Sequence, residues 1–294
     1  MAAAVAAVAA EAAVAELPFL GAGVSYRPQW SWEIVRHRDH LGLVEVIPED
    51  FVGPEAQRDL TNLRYAVPVL LHGIGLSLGS AEGLDAGRLE HFAQLAHAVE
   101  PPWVSEHIAF TRAGGIEIGH LAPLPFTREA VETVAANVAA LRRAIPGVPM
   151  LLENIAYAVV LPEAEMSEAE FVRAVIETAD CGLLLDLENV HANAKNHGYE
   201  PIGFLESLPL ERVVEVHLAG GVWLEGQYAD THTRPVPEES WALLEWLAPR
   251  APVRAVIIER DDDLPPFAKL LAEVERARRT LDVAAARDPA GAGR

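Results

Sequence analysis

Apolar residues along this chain follow two alternating rhythms. Short aliphatic runs of strand length occur at residues 21–26, 43–47, 67–71, 103–105, 149–152, 182–185, 212–216 and 254–258. Between them lie longer segments with apolar residues three or four apart, the spacing of a helix with one buried face. Residues 86–99 show this plainly, with Leu89, Phe92, Leu95 and Ala96 on one side. Thr127 precedes 128–145 as an N-cap with Glu129 in the first turn, and Ser167-x-x-Glu170 opens 167–178 as a capping box. Further helices are expected at 30–38, 54–63, 201–207, 237–247 and 265–281. The connection 108–125 is long, and alternation around Ile116 and Ile118 predicts a small hairpin there. Eight strands alternating with helices, without a Pro/Gly-rich linker, predict an α/β fold: a single-domain (β/α)8 TIM barrel over 18–284. A doubly wound open sheet is the alternative, but no Gly-x-Gly-x-x-Gly follows the first strand. Residues 1–17 are expected to be an Ala-rich leader or helix, and 285–294 a disordered tail.

The runs share a way of ending. The third to the eighth stop at His72, His107, Glu153, Asp186, His217 and Glu259. In a parallel barrel these ends converge on one mouth. Singly, each residue has an ordinary explanation: a turn cap, a satisfied core imidazole, a salt bridge to Arg260 or Lys195. Together, three crowded carboxylates repel one another unless cations compensate them. One divalent ion takes three or four protein ligands. Six strand-end groups, with Asn189 and His191 from a polar loop expected after the sixth strand and Asp230 and His232 from the loop 219–236, therefore suggest two metals or three. His37, His40, His91 and His97 fall away from the strand ends, whereas His120 is placed where it can line the mouth. The Gly-rich run 73–79 lacks the Lys of a phosphate-binding loop and reads as a tight turn leaving His72.

Composition narrows the classes. Hydrophobic residues make up 51% of 294, enough for a sizeable aliphatic core. With 23 basic and 43 acidic residues the formal charge is −20, which argues against nucleic acid or an anionic membrane as partner. The one cysteine, Cys181, excludes an intramolecular disulfide and a thiolate-rich metal site, and its place before a buried strand marks a packed thiol. The apolar N-terminus lacks a basic n-region and is interrupted by Glu11 and Glu16, so neither a secretory signal nor a membrane span is expected, and the chain reads as cytoplasmic.

The segments HGIGLSLGS (72–80), SEH (105–107), LLEN (151–154), LLLDLENV (183–190), NHG (196–198), VHLAGG (216–221), DTH (230–232) and IERDD (258–262) occur in the order of one family. From about residue 21 to 276 the chain resembles the multinuclear non-haem iron-dependent oxidative enzymes, typified by the methanobactin-biosynthesis oxidase. The resemblance implies a TIM barrel holding two or three iron ions, in mixed Fe2+/Fe3+ states, with O2 as co-substrate. Glu153, Asp186, His217 and Glu259 would hold one iron. His72, His107 and a bridging Glu153 would hold a second, and Asn189, Asp230 and His232 a third. Asp230 and His232 are the expected proton-transfer groups where that third site is empty. The implied substrate is a cysteine, or another residue, of a ribosomally made precursor peptide, presented by a separate partner protein. The chain departs from the family pattern at Glu188, where an Asn is usual, and at His191, where an aromatic often stands. A divalent-metal sugar isomerase or phosphodiesterase, and a metal-storing or metal-sensing protein without turnover, are the alternative functions.

Overall fold

The computed structural model describes residues 16–287. Eight parallel strands close into a barrel: β1 (Gly21–Ser25), β2 (Val44–Val46), β3 (Val69–Gly73), β4 (Val104–His107), β7 (Met150–Glu153), β8 (Gly182–Asp186), β9 (Val213–Leu218) and β12 (Ala255–Ile258). Each pairs with the next, and β12 returns to β1 through Gly21↔Ala255 and Val24↔Ile258. The connections carry helices α1 (Ser31–Arg36), α2 (Pro54–Ala66), α3 (Ala86–Val99), α4 (Arg128–Ala144), α5 (Glu168–Ala179), α6 (Leu187–His197), α7 (Pro201–Glu206), α8 (Glu238–Leu247) and α9 (Phe267–Arg287). The expected helix starts hold: Thr127 accepts from the Ala130 N–H, and Ser167 with Glu170 forms the reciprocal capping box.

Two apolar layers sit on either side of the strands. The larger packs the outward strand faces against the helices. Besides Leu17 and Leu20, the smaller contains inward residues on the strands or immediately before them: Leu43, Leu70, Trp103, Leu151, Leu184, Val214, Ala255 and Ile257. Side chains two residues apart point the same way on a strand. The residues two beyond this floor are therefore Glu45, His72, Ser105, Glu153, Asp186 and Glu259, and the polar chemistry stands directly on an apolar base. On β9 the pairing skips from Val213 to Glu215, so Val214 joins the floor while Glu215 and His217 still face inward. Cys181 is buried at the foot of β8, and burial pushes its thiol up to about 12, as a packed thiol should behave.

Three connections differ from expectation. The predicted hairpin after β4 is longer, β5 (Phe110–Ala113) and β6 (Ile116–Ala122). The loop 219–236 contains a second hairpin, β10 (Val222–Leu224) and β11 (Gln227–Ala229). The polar segment after β8 is not a loop. It is α6, begun at once by the Asp186 side chain, whose Oδ1 accepts from the Asn189 N–H at 2.6 Å. An N-cap turns polar residues into helix starters, which hydrophobic periodicity alone misses. The expected leader lies outside the described residues at 1–15 and the expected disordered tail at 288–294, while residues 285–287, expected in that tail, belong to α9.

Candidate metal centre

Glu153, at the end of β7, is the hub. Its Oε2 lies 3.2 Å from His72 Nε2 and 3.1 Å from His107 Nε2. Its Oε1 lies 3.7 Å from His217 Nδ1, which is 3.2 Å from Glu259 Oε2. Glu259 Oε2 is in turn 3.5 Å from His232 Nδ1. Three sets of donor atoms at the mouth each converge within 4.8 Å: His72, His107 and Glu153; Glu153, Asp186 and His217; and Asp186, His232 and Glu259.

The outer contacts orient the rings. His72 Nδ1 meets Ser105 Oγ at 2.8 Å, and His107 Nδ1 meets the Gly73 carbonyl at 3.0 Å. Both rings thereby aim Nε2 at Glu153. Yet Glu153 Oε2, Asp186 Oδ2, Asn189 Oδ1, both His217 nitrogens, Asp230 Oδ1 and His232 Nδ1 are buried without a hydrogen-bond partner. Buried polar atoms are ordinarily bonded. Here short N···O approaches coexist with lone pairs that fail to align on each other, which is what ligands facing a common cation require. The donor set, imidazole and carboxylate without thiolate, suits Fe, Mn or Zn.

Electrostatics agree. Burial pushes the Glu153 carboxyl up to about 7 against the pull of His107 and His217. Burial, then Asp230 and Glu153, drives Asp186 well above the carboxylate range. Burial opposes the charge on His107, but Glu153 and Glu106 outweigh it and lift the imidazole to about 9. Burial, with His107 and His217 beside it, holds His72 well below its ordinary range. For Glu259, burial is outweighed by His217 and His232, which hold the carboxyl well below the usual value. Protons thus balance the crowded carboxylates, and a bound cation would displace them.

α6 is the frame of the mouth. Asn189 lines the cavity with Oδ1 unpartnered, its Nδ2 donating to the Asn154 carbonyl at 3.0 Å. Asn193 bonds the Tyr157 N–H at 3.0 Å, and His197 stacks on Tyr157 and reaches its carbonyl at 2.9 Å. Asn196 pairs with both backbone groups of Tyr228, at 2.8 and 2.9 Å, as a neighbouring strand would. Glu188, fully buried, accepts from Tyr228 Oη, the Gly221 N–H and Ser240 Oγ. Glu188 and His197 are therefore anchors of the surrounding loops, and His191 packs edge-on against Tyr228 rather than lining the cavity. The loop bearing Asp230 and His232 runs very close to the barrel: a Cβ on Gly220 would meet the Pro235 carbonyl at 2.3 Å, and one on Gly221 the Ala229 carbonyl at 2.2 Å. His232 itself adopts a left-handed φ of 51°. Its Nε2 bonds Asp230 Oδ2 at 2.9 Å.

The Gly-rich run after His72 is not a phosphate cradle. Glu49 Oε1 accepts from the Ile74 and Gly75 N–H groups at 3.2 and 2.6 Å, and Glu106 Oε1 from Leu76 at 2.8 Å. Carboxylates of the protein occupy those donors.

Above the donors opens a cavity of about 820 Å³, reached by Arg27, His120, Tyr157, Leu224, Tyr228 and Asp261 as well as His72, His107, Glu153, Asn189, Asp230, His232 and Glu259. His120 thus lines the mouth, while His91 bonds the Pro48 carbonyl and His97 is exposed on α3. The strand-end rule missed the two tyrosines, because loop packing places them. It also missed Glu45 and Glu215, buried charges inside apolar runs. That position, a carboxylate amid LVEVI and VVEVH, was the available signal.

Fold and site together define a TIM barrel with clustered imidazole and carboxylate donors at its C-terminal mouth. Solved structures alike in fold include a xylose isomerase-like TIM barrel protein from Mycobacterium smegmatis in complex with magnesium (TM-score 0.60, 12% identity, 92% of this chain and 98% of that one). An L-ribulose 3-epimerase matches with TM-score 0.54 at 14% identity over 90% of this chain and 93% of that one. At such identities the likeness is one of fold. By sequence the chain belongs to the family described as RiPP precursor modification enzyme MbnB/TglH/ChrH, matched over residues 21–282. Relatives include UPF0276 proteins of Caulobacter vibrioides (39% identical, covering 89% of this chain and 94% of the relative) and Rhizorhabdus wittichii (42% identical, 81% and 86%). Among the described residues no helix is long and apolar enough to cross a membrane.

Proposed function

We propose that the protein is a multinuclear iron, O2-dependent oxidase that modifies cysteine, or another residue, of a ribosomally made precursor peptide. The observation that carries this reading is Glu153, one buried carboxylate facing three imidazoles from three other strands. A carboxylate so shared would serve two cations at once. Glu153, Asp186, His217 and Glu259 would hold one iron; His72, His107 and Glu153 a second; and Asn189, Asp230 and His232 a third. Iron there would supply a Lewis acid for the substrate thiolate and electrons for dioxygen.

The chain's own residues do the rest. The cavity of about 820 Å³, lined by Tyr157 and Tyr228, which α6 holds in place, has room for a peptide side chain. Where the third iron is absent, Asp230 and His232, bonded to each other at the cavity wall, would pass a proton between substrate and solvent. The apolar floor excludes water from below. Family membership supports a precursor peptide as substrate, and a separate partner protein would present it.

The test is metal analysis of the purified protein, followed by incubation with a cysteine-bearing precursor peptide from the adjacent reading frames, with and without O2. Iron in the protein and an O2-dependent mass change in the peptide are expected. Zinc alone, or a product indifferent to O2, overturns the oxidase reading. Sugar isomerisation on a similar barrel would proceed without O2.

A further inference from the structure

Below the mouth the barrel holds two carboxylates, Glu45 on β2 and Glu215 on β9, exposed by only 2% and 0%. Their oxygens and a His217 nitrogen lie within 4.8 Å of one another. A buried carboxylate is costly unless something faces it. Glu215 has such a partner, the Trp103 indole N–H, which donates to its Oε2 at 2.8 Å. Glu45 has a close neighbour instead: its Oε1 lies 3.0 Å from His217 Nε2, an approach without hydrogen-bond alignment.

The two nitrogens of His217 therefore face different carboxylates. Nδ1 looks up at Glu259 and Glu153, 3.2 and 3.7 Å away, both in the mouth cluster. Nε2 looks down at Glu45, whose strand adds no residue to the three mouth groups. A neutral imidazole ligates a metal through one nitrogen and carries its proton on the other. A carboxylate opposite the N–H fixes that tautomer and strengthens the ring as a donor.

We propose that Glu45 is the positioning residue of the metal centre: it keeps the His217 proton on Nε2 and leaves the Nδ1 lone pair for a metal at the mouth. This rests on reading the mouth as a metal centre. Glu45 does not line the cavity; its close contact with a mouth donor is the one to His217 Nε2, and its charge also bears on Glu153.

The experiment compares wild type, Glu45→Gln, Glu45→Leu and Glu215→Gln by anaerobic Co2+ titration, the visible Co2+ spectrum and 15N-histidine NMR of the Zn2+-loaded protein. Wild type should show His217 protonated at Nε2 with Nδ1 on the metal. Glu45→Leu should bind Co2+ on the order of 10- to 100-fold more weakly, with a shifted spectrum. Glu45→Gln keeps an oxygen that can face Nε2 and should recover part of the loss, and should fold even if the Leu variant does not. Glu215→Gln should lose less than Glu45→Gln. Wild-type affinity, spectrum and His217 signals in Glu45→Gln would overturn the proposal while the metal centre stands. An equal loss in Glu215→Gln would overturn it too, by assigning the effect to buried charge in general. A wild-type protein that takes up no Co2+ or Zn2+ overturns the metal reading itself, and this proposal with it.

Discussion

Asn196 offers a direct measure of how α6 holds the mouth. Its side-chain amide makes two bonds to the backbone of Tyr228, accepting from the N–H at 2.8 Å and donating to the carbonyl at 2.9 Å. Asn196→Ala removes both and leaves a part-buried backbone N–H and C=O without those partners. A neutral hydrogen bond contributes about 1 kcal/mol net, so opening of the β10–β11 hairpin should become about 2 kcal/mol easier. That corresponds to roughly 30-fold faster amide exchange at Tyr228. Global stability should fall by less, because the hairpin is peripheral to the barrel. The assay is hydrogen exchange read by mass spectrometry or NMR, with peptides across 222–232 compared against the barrel strands. Asn196→Asp keeps the acceptor but sets a carboxylate against the Tyr228 carbonyl, and should protect no better than Ala. Unchanged exchange in the hairpin of Asn196→Ala would refute the assignment of Asn196 as its strand-like partner. Faster exchange throughout the barrel would refute the claim that the effect is local.

Two further outcomes follow from the same contacts. Glu168 is bonded to Tyr157 Oη and Asn193 Nδ2, and burial raises its carboxyl to about 7 from an ordinary 4.5. A raised carboxyl favours the folded chain fully below pH 4.5, and that contribution is lost as pH rises through 7. Glu168→Gln should therefore gain on the metal-free wild type by about 3 kcal/mol between acid and neutral pH in urea unfolding, whereas parallel stability curves would contradict it. Gly220→Ala places a methyl against the Pro235 carbonyl and should displace the Asp230–His232 loop; weaker metal uptake with the barrel's circular dichroism retained is the expected result, and unaltered uptake the contrary one.

Much of the site was readable because a parallel barrel makes strand order and spatial order coincide. His72, His107, Glu153, Asp186, His217 and Glu259 each follow an apolar run, and closure of the sheet brings them to one mouth. Capping chemistry was equally local, which is why Ser167 and Thr127 start their helices where expected. Glu188 and His197 were legible only as oddities, since their partners Tyr228, Ser240 and Tyr157 are far along the chain.

By itself, then, the sequence determined the alternation of strands and helices and the polar donors that end the strands, because these depend on periods of two and 3.6 residues written along the chain. Only the tertiary structure decided that α6 replaces a loop, that Asn196 completes a hairpin and that Glu45 stands beneath His217. Those facts depend on which distant segments meet. A glutamate inside an apolar run has no single meaning until the barrel closes and shows what it faces.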